Sequence, residues 1–316
     1  MSSSKKTVLI TGATAGIGRM TALHLAKLGH HVIASCRNVA ELAKLKEEAG
    51  SLALDTLVLD VTSAASIAAA VEAVSTLTGG TGVDVLVNNA GFGVLGPTSE
   101  IGDAEMRRQY DTNVFGLMAV TRAFLPKMIE RRSGRVINVS SVGGRITLPF
   151  FGVYNSTKYA VESLSDALRY ELRPFGIDVS LIEPGVIRTN FEATAVGGLS
   201  QFDSTPYAQA VAKYEQMSKT ADRFASNPIV IAKAIARAVQ ARRPAARYVA
   251  PRSTNMIIWM SAILPTRVWD WAMRKVAFLN TRTLGLDGSP EAKPVQPFPV
   301  TQIHGSPTAA ARPSAN

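Results

Sequence analysis

Short runs of Val, Ile and Leu alternate along the chain with longer stretches whose apolar residues recur at helical spacing. The runs are TVLIT (7–11), HVIAS (31–35), DTLVLD (55–60), VDVLVNN (83–89), GRVINVS (134–140), IDVSLIEP (177–184) and ARYVA (246–250). Between them the pattern predicts an apolar-periodic helix to about Leu28, a charged helix over 39–49 and an Ala-rich helix over 63–77. A long helical region over 104–131, a helix over 153–173 and a loop-and-helix region over 190–220 follow. NPIVIAKAIARAVQAR reads as one more helix, with Asn227 as N-cap and Pro228 in the first turn. The strand runs are almost continuously apolar, as parallel strands covered on both faces must be. The alternation therefore predicts an α/β fold, a doubly wound, mostly parallel sheet of seven strands with right-handed crossovers, in one domain over residues 1–250.

The segment after the last strand breaks the pattern. MIIWMSAILPTRVWDWAMRKVAFL (256–279) holds all three tryptophans, Trp259, Trp269 and Trp271. Pro265 divides it into two short helices, with Thr266 as a candidate N-cap of the second. Val268, Trp269, Ala272, Met273 and Val276 form one stripe, with Asp270, Arg274 and Lys275 off it. An amphipathic extension over 251–286 is expected, serving either as a lid or subunit contact or as a peripheral contact with a membrane surface. The last 30 residues hold six of the 16 prolines and much Ser and Ala, so a disordered tail is expected over 287–316.

Charge sharpens this picture. The chain carries a net +10 over 316 residues, and 13 Lys/Arg against 4 Asp/Glu lie from Asp222 onward. No nucleic-acid recognition motif accompanies the charge, so an anionic membrane surface is the better-matched partner. The single cysteine, Cys36, excludes an internal disulfide and a multi-cysteine zinc site, and the four histidines lack metal-ligand spacing, so no metal is expected. The apolar run after MSSSKK is too short for a signal-peptide core, and no apolar stretch reaches spanning length. A soluble or peripherally attached cytoplasmic protein is expected.

Two stretches carry candidate chemistry. TGATAGIG puts Gly12, Gly16 and Gly18 at the turn from the first strand into a helix, where backbone can approach a pyrophosphate and the helix N-terminus faces its charge. The second strand ends in Ser35, Cys36 and Arg37, with no acid for a ribose 2′-hydroxyl. A carboxylate would repel a 2′-phosphate, whereas Arg37 attracts one, so NADP(H) is favoured over NAD(H). Arg37 as a solvated surface side chain is the alternative. Asp60 has two readings, an acceptor for an adenine amine and the N-cap of the helix near Ser63. In GVYNSTK (152–158), Tyr154 and Lys158 lie at i and i+4 on one helix face. A phenol near pKa 10 is a poor acid at neutrality, and a nearby ammonium would lower it.

These motifs, with NNAG (88–91), Asn113 in YDTNVFG, NVSS (138–141) and EPGVIRT (183–189), resemble the short-chain dehydrogenase/reductase family over residues 6–190. The resemblance implies a Rossmann-type sheet and an active tetrad, here Asn113, Ser141, Tyr154 and Lys158. Ser140 competes with Ser141 for the position that holds the substrate oxygen; the resemblance implies that Asn113 anchors a water in the proton relay, with a plain helix-interior polar residue as the alternative. The implied cofactor contacts are Gly12, Thr14, Gly16, Ile17, Gly18, Arg37, Asp60, Val61, Asn89, Ala90, Gly91, Tyr154, Lys158, Pro184, Gly185 and Thr189. Thr189 could equally be a helix or turn cap. Asn88 and Asn89 read as amides that satisfy backbone groups at the end of a buried strand.

Phe92, Val94, Leu148, Phe150 and Phe151, with the 190–220 segment, are candidate pocket residues, some of which could be ordinary core; Arg145 is the one candidate anion-binding cation beside the tetrad and could equally be a surface residue. The stretch around Tyr154 looks most like the 17β-hydroxysteroid and retinol dehydrogenase branch, which implies a lipophilic alcohol or ketone as substrate. The family usually associates through its long helices, here 104–131 and 153–173, which implies a homodimer or homotetramer. A non-catalytic NADP(H)-binding regulator and an epimerase or dehydratase on the same fold are the rival readings.

Overall fold

The structure is a computed structural model that describes residues 5–189, 198–221 and 225–286. The tail over 287–316 and the residues 190–197 of the predicted loop-and-helix region lie outside them. All seven expected strands form: β1 (Thr7–Thr11), β2 (His31–Cys36), β3 (Leu54–Val58), β4 (Val85–Asn88), β5 (Gly134–Val139), β6 (Ile177–Pro184) and β7 (Arg247–Ala250). They make one sheet in the order β3-β2-β1-β4-β5-β6-β7, every neighbouring pair parallel. The order reverses between β1 and β4, the point at which a doubly wound sheet opens a crevice at its C-terminal edge.

The helices before the last strand are α1 (Gly16–Lys27), α2 (Val39–Ala49), α3 (Ala64–Leu77), α4 (Asp103–Tyr110), α5 (Leu117–Glu130), α6 (Gly152–Leu172), α7 (Ala208–Ala221) and α8 (Ile229–Gln240). Two more, α9 (Thr254–Ile263) and α10 (Thr266–Val276), follow β7. Strand side chains alternate between two cores, because successive residues of a strand point to opposite faces. Val8 and Ile10 join Leu25, Ile231 and Ile235 of α1 and α8 on one face. Leu9 joins Phe124, Leu168 and Leu172 of α5 and α6 on the other. A third apolar cluster, with Leu95, Phe150, Phe202 and Val211, lies around the segments before α6 and α7 and takes in Ala277, Phe278 and Leu284 after α10.

Three local expectations change. The helix over 104–131 is interrupted by a π-helical turn, Asp111–Gly116, between α4 and α5. At Gly116 in that turn an added Cβ would lie 2.8 Å from the Val61 carbonyl oxygen, so the helix passes against the β3–α3 connection with no room for a side chain. Thr266 is the first residue of α10, and no side chain caps that helix. Of the predicted α10 stripe, Trp269, Ala272 and Met273 are half-buried while Val268 and Val276 are exposed. The start of α8 shifts by one residue: Pro228 holds the N-cap position, and Asn227, just outside it, accepts the Ile229 N–H on its Oδ1 at 2.9 Å.

The far end of α8 is held by a charge. Arg135 on β5 donates to the carbonyls of Ala238 and Val239, both at 2.6 Å, and to that of Ala241. These are carbonyls that the helix itself leaves unpaired, and the guanidinium also complements the helix dipole. Its side chain is only 13% exposed. Arg135→Met should therefore cost about 2–3 kcal/mol, read as a lower urea midpoint at unchanged slope.

Candidate active site

β1 ends at Thr11 and α1 begins at Gly16, so the chain turns within four residues. Gly12 adopts φ +63°, a left-handed conformation that strains any side chain. At Gly18 an added Cβ would collide with the Gly12 carbonyl oxygen and the Asn89 amide. Thr11 Oγ1 accepts the N–H groups of Asn89 and Ala90, each at 3.0 Å. Asn89 Nδ2 donates to the carbonyls of Thr11 and Gly12, also at 3.0 Å. The loop is thus stitched to the end of β4. Asn89 satisfies backbone groups as expected, but Asn88 does not: its amide donates to Thr121 Oγ1 at 2.8 Å and Asn138 Oδ1 at 2.9 Å. Ala15, before α1, offers no side-chain cap, which leaves the first-turn amides of α1 to an outside acceptor. A bare helix N-terminus behind a loop too tight for side chains fits a pyrophosphate. Thr14 and Ile17 belong to the same turn, and the Thr189 side chain closes on it, 3.3 Å from the Cβ that Gly16 lacks.

At the end of β2, Ser35 is buried and its hydroxyl donates to the Ile10 carbonyl at 3.0 Å. Arg37 projects into solvent beyond it. Asp60, past the end of β3, accepts from the Thr62 N–H at 2.9 Å and the Thr62 hydroxyl at 2.7 Å. Burial raises its pKa, but those two bonds and the Arg37 charge outweigh it and hold the carboxyl below its ordinary value. Asp60 is not the cap of α3; Ser63 is, its Oγ accepting the Ser66 N–H at 3.2 Å. Val61 beside it is buried. With no carboxylate among Ser35, Cys36 and Arg37, this edge suits an anionic group on a ribose.

The predicted tetrad residues come together at the same edge of the sheet. Asn113 sits in the π-helical turn rather than in a regular helix, and such turns recur at functional sites. Its amide donates to the Phe92 carbonyl at 2.9 Å and Thr157 Oγ1 at 3.1 Å, and its Oδ1 accepts the Phe92 N–H at 3.1 Å. A Cβ on Gly91 would lie 3.0 Å from Asn113 Oδ1 and 3.9 Å from Lys158 Nζ. Ser141 follows β5, its Oγ accepts the Gly143 N–H at 3.0 Å, and its side chain is hydrogen-bonded to Tyr154. Ser140 turns the other way, toward the carboxyl of Glu162. Pro184 and Gly185 close the group at the end of β6, where the Gly185 N–H donates to the Ala250 carbonyl at 2.9 Å. Gly185 also lies against Thr254, the first residue of α9.

The electrostatics depart from the sequence expectation. Lys158 does not pull the Tyr154 phenol down. Burial pushes Tyr154 up to about 12, against the Ser141 hydrogen bond that lowers it. Burial pushes Lys158 down to about 8, against the attraction of Glu162. Lys158 Nζ donates to the Val139 carbonyl at 2.9 Å and stands 5.8 Å from the Tyr154 ring centre. In a dry site both charged forms lose hydration, and that loss exceeds the pair attraction at this separation.

Beneath the tetrad lies a charge network that the motifs do not reveal. Arg247 on β7 donates to Glu162 Oε2 at 3.2 Å and to Asp166 Oδ2 at 2.6 Å, and lies 3.1 Å from Glu183 Oε1. Arg145, an expected pocket or surface cation, is paired with the buried Glu183 at 3.3 Å. Glu162 repeats the spacing of Tyr154 and Lys158 one turn further along α6, which is the signal that would have found it. Thr11 had no such signal. Burial raises the Glu162 carboxyl to about 7.

The expected pocket residues divide. The Phe151 ring meets Tyr154 edge-on at 6.4 Å and Tyr214 of α7 at 6.3 Å. Phe150, at φ +66°, is held in that strained conformation with its ring 5.4 Å from Tyr214. Val94 packs at the edge of the third cluster, and Phe92 lies under the Arg108 guanidinium at 4.6 Å. Leu148 and Phe150 also line a cavity of about 500 Å³ with Arg145, Tyr159, Trp269 and Met273. None of the tetrad lines it, so it lies beside the site, under α9 and α10.

Burial raises the Glu162 carboxyl and lowers the Lys158 ammonium, and the ionised carboxylate counters the second effect by attracting the ammonium. Any activity that needs the Lys158 ammonium should fall on the alkaline side of about pH 8. Glu162→Gln should move that limb to lower pH in a pH–rate profile, with Glu162→Asp restoring part of the shift. A purely structural role would lower the rate without moving the limb.

Comparison with known proteins identifies the family and the fold. The family described as short chain dehydrogenase matches residues 6–197. The human 17-beta-hydroxysteroid dehydrogenase type 1 is 38% identical over 257 residues, covering 78% of this chain and 77% of that protein. The NADPH-dependent 3-dehydrocapnine reductase of Ornithobacterium rhinotracheale is 34% identical over 266 residues, 83% of this chain and 94% of that one. The crystal structure of a short-chain dehydrogenase from Streptomyces avermitilis superposes with a TM-score of 0.71 at 32% identity, over 88% of this chain and 99% of that chain. The sheet order, the glycine loop and the matched span together make this chain a member of the short-chain dehydrogenase/reductase family of oxidoreductases.

Proposed function

We propose that this protein is an NADP(H)-dependent carbonyl reductase/alcohol dehydrogenase acting on a lipophilic substrate. The observation that carries the reading is the half-buried Ser141 hydroxyl bonded to the buried Tyr154, with Lys158 one turn away, beside a glycine loop that fits a pyrophosphate. The nicotinamide, when bound, supplies the hydride or takes it up. The remaining work falls to the chain's own side chains.

Tyr154 stays protonated through the neutral range, so its O–H is available to a carbonyl oxygen that gains negative charge as it is reduced. Ser141 holds the same oxygen from the second side. Lys158 presents ammonium donors below about pH 8. Asn113 is a positioning residue, fixing the 91–92 backbone against α6. Gly12, Thr14, Gly16, Ile17 and Gly18 cradle the pyrophosphate. Arg37 would take the 2′-phosphate, and Asp60 and Val61 would border the adenine. Asn89, Ala90, Gly91, Pro184, Gly185 and Thr189 would border the ribose and nicotinamide. The apolar third cluster supports a lipophilic substrate, as do a steroid dehydrogenase and an NADPH-dependent 3-dehydrocapnine reductase among the relatives. Exposed Phe115, Tyr159 and Tyr170, on the π-helical turn and α6, support a homodimer or homotetramer built on those long helices. A single half-exposed thiol suits a reducing cytoplasmic setting.

The test is oxidation of NADPH against a panel of lipophilic ketones and aldehydes, with NADH in parallel. Wild type should turn over with NADPH, and Tyr154→Phe should lose about a hundred- to ten-thousand-fold in kcat with intact NADPH binding. Unchanged turnover in Tyr154→Phe overturns the mechanism. Arg37→Asp should weaken NADPH by about tenfold or more while leaving NADH unharmed, read as the ratio of the two kcat/KM values.

A further inference from the structure

The two helices after β7 invert the usual rule for a helix on a globular protein. No residue of α9 or α10 is fully buried. On α9, Met256, Trp259, Met260 and Ile263 fall at i, i+3, i+4 and i+7, which is one continuous face. That face points away from the protein: the four are 67%, 65%, 40% and 56% exposed. The half-buried residues Thr254, Ile257, Ile258 and Ser261 lie on the opposite side. The helix carries no charge. On α10, Val268 and Trp271 are exposed, while Trp269 and Met273 turn inward to line the cavity. Nothing in an isolated soluble chain favours presenting an apolar helical stripe to water.

The charge on the helix that follows α9 in the chain selects what covers the stripe. Arg252, Arg267, Arg274, Lys275 and Arg282 stand against the single acid Asp270 in residues 251–286. Arg267, Trp271, Arg274 and Lys275 share one exposed face of α10, at spacings of three and four. A second copy of the chain would bring two such basic patches together across a two-fold axis, and like charges in apposition oppose association. An anionic bilayer satisfies both halves: the Met–Trp–Met–Ile stripe enters the acyl boundary while the basic residues meet the headgroups. No described helix is long and apolar enough to cross a membrane, so the contact is peripheral.

We infer that α9 and α10 form a docking surface for an anionic membrane, seating the protein with its substrate side toward the lipid. Thr254 at the start of α9 rests on Gly185 beside the tetrad, and Ala277, Phe278 and Leu284 join the apolar cluster around Phe150 and Phe151. The docked helices therefore adjoin the region through which a lipophilic substrate would arrive. The docking itself rests on exposure and charge; only its purpose rests on the proposed reaction.

The chain offers its own probe, since all three tryptophans lie in these two helices. Intact protein is mixed with phosphatidylcholine vesicles, with and without phosphatidylglycerol, and followed by Trp emission, quenching by brominated lipid and flotation. The expected result is a blue shift, quenching and flotation with the anionic vesicles, weakened by salt. Trp259→Ser/Trp271→Ser should reduce partitioning by about tenfold or more, with the far-UV spectrum and turnover of a water-soluble ketone unchanged. Absence of binding at low salt overturns the proposal, as does undiminished binding by the double variant. Concentration-dependent self-association that the double variant abolishes, without vesicle binding, assigns the face to a second copy and also overturns it. Vesicle binding needs no turnover, so failure here is separate from failure of the enzymatic reading.

Discussion

A parallel sheet buried on both faces has one consequence that orders the whole molecule: all its strands end at the same edge. β1, β4, β5 and β6 finish side by side in register, so Thr11, Asn88, Val139 and Pro184 bring four connections to one rim. Side chains within the strands are committed to the two cores. Polar chemistry therefore gathers at the strand ends and the connections that leave them, and the reversal of strand order between β1 and β4 leaves space there for a ligand.

Burial then sets the chemistry at that rim. Tyr154 is pushed up and Lys158 down because each would have to carry its charge with little water. The charges that survive below them do so in company. Arg247 joins Glu162, Asp166 and Glu183, and Arg145 adds to Glu183. Removing one partner from such a group leaves another charge uncompensated, so the network behaves as a unit. It ties α6, β6 and β7 to the floor of the site and couples Lys158 to groups two helical turns away.

Much of this was legible residue by residue. Seven apolar runs marked seven strands, because strands covered on both faces have no polar side to hide them. Asn227 and Pro228 announced α8 through chemistry local to its first turn. The glycine spacing, and Tyr154 with Lys158, were equally readable, since each depends only on neighbours within a turn. The π-helical turn was not, because it arises where Gly116 meets the β3–α3 connection, a contact between segments distant in sequence. The choice of Ser63 over Asp60 as the cap of α3 was missed although it too is local, because Asp60 takes the Thr62 N–H and hydroxyl instead.

By itself the sequence determined the alternation of strand and helix, the glycine turn, the missing acid after β2 and the spacing of the tetrad. All of these are properties of short windows, set by side-chain periodicity and local hydrogen bonding. Only the tertiary structure decided that Ser141 rather than Ser140 meets Tyr154, that Arg145 answers a buried Glu183, and that the apolar stripe of α9 faces outward. It also reversed the expected direction of the Tyr154 pKa. Hydration, and which neighbours replace it, depends on what the rest of the chain places around a group, and no short window of residues contains that information.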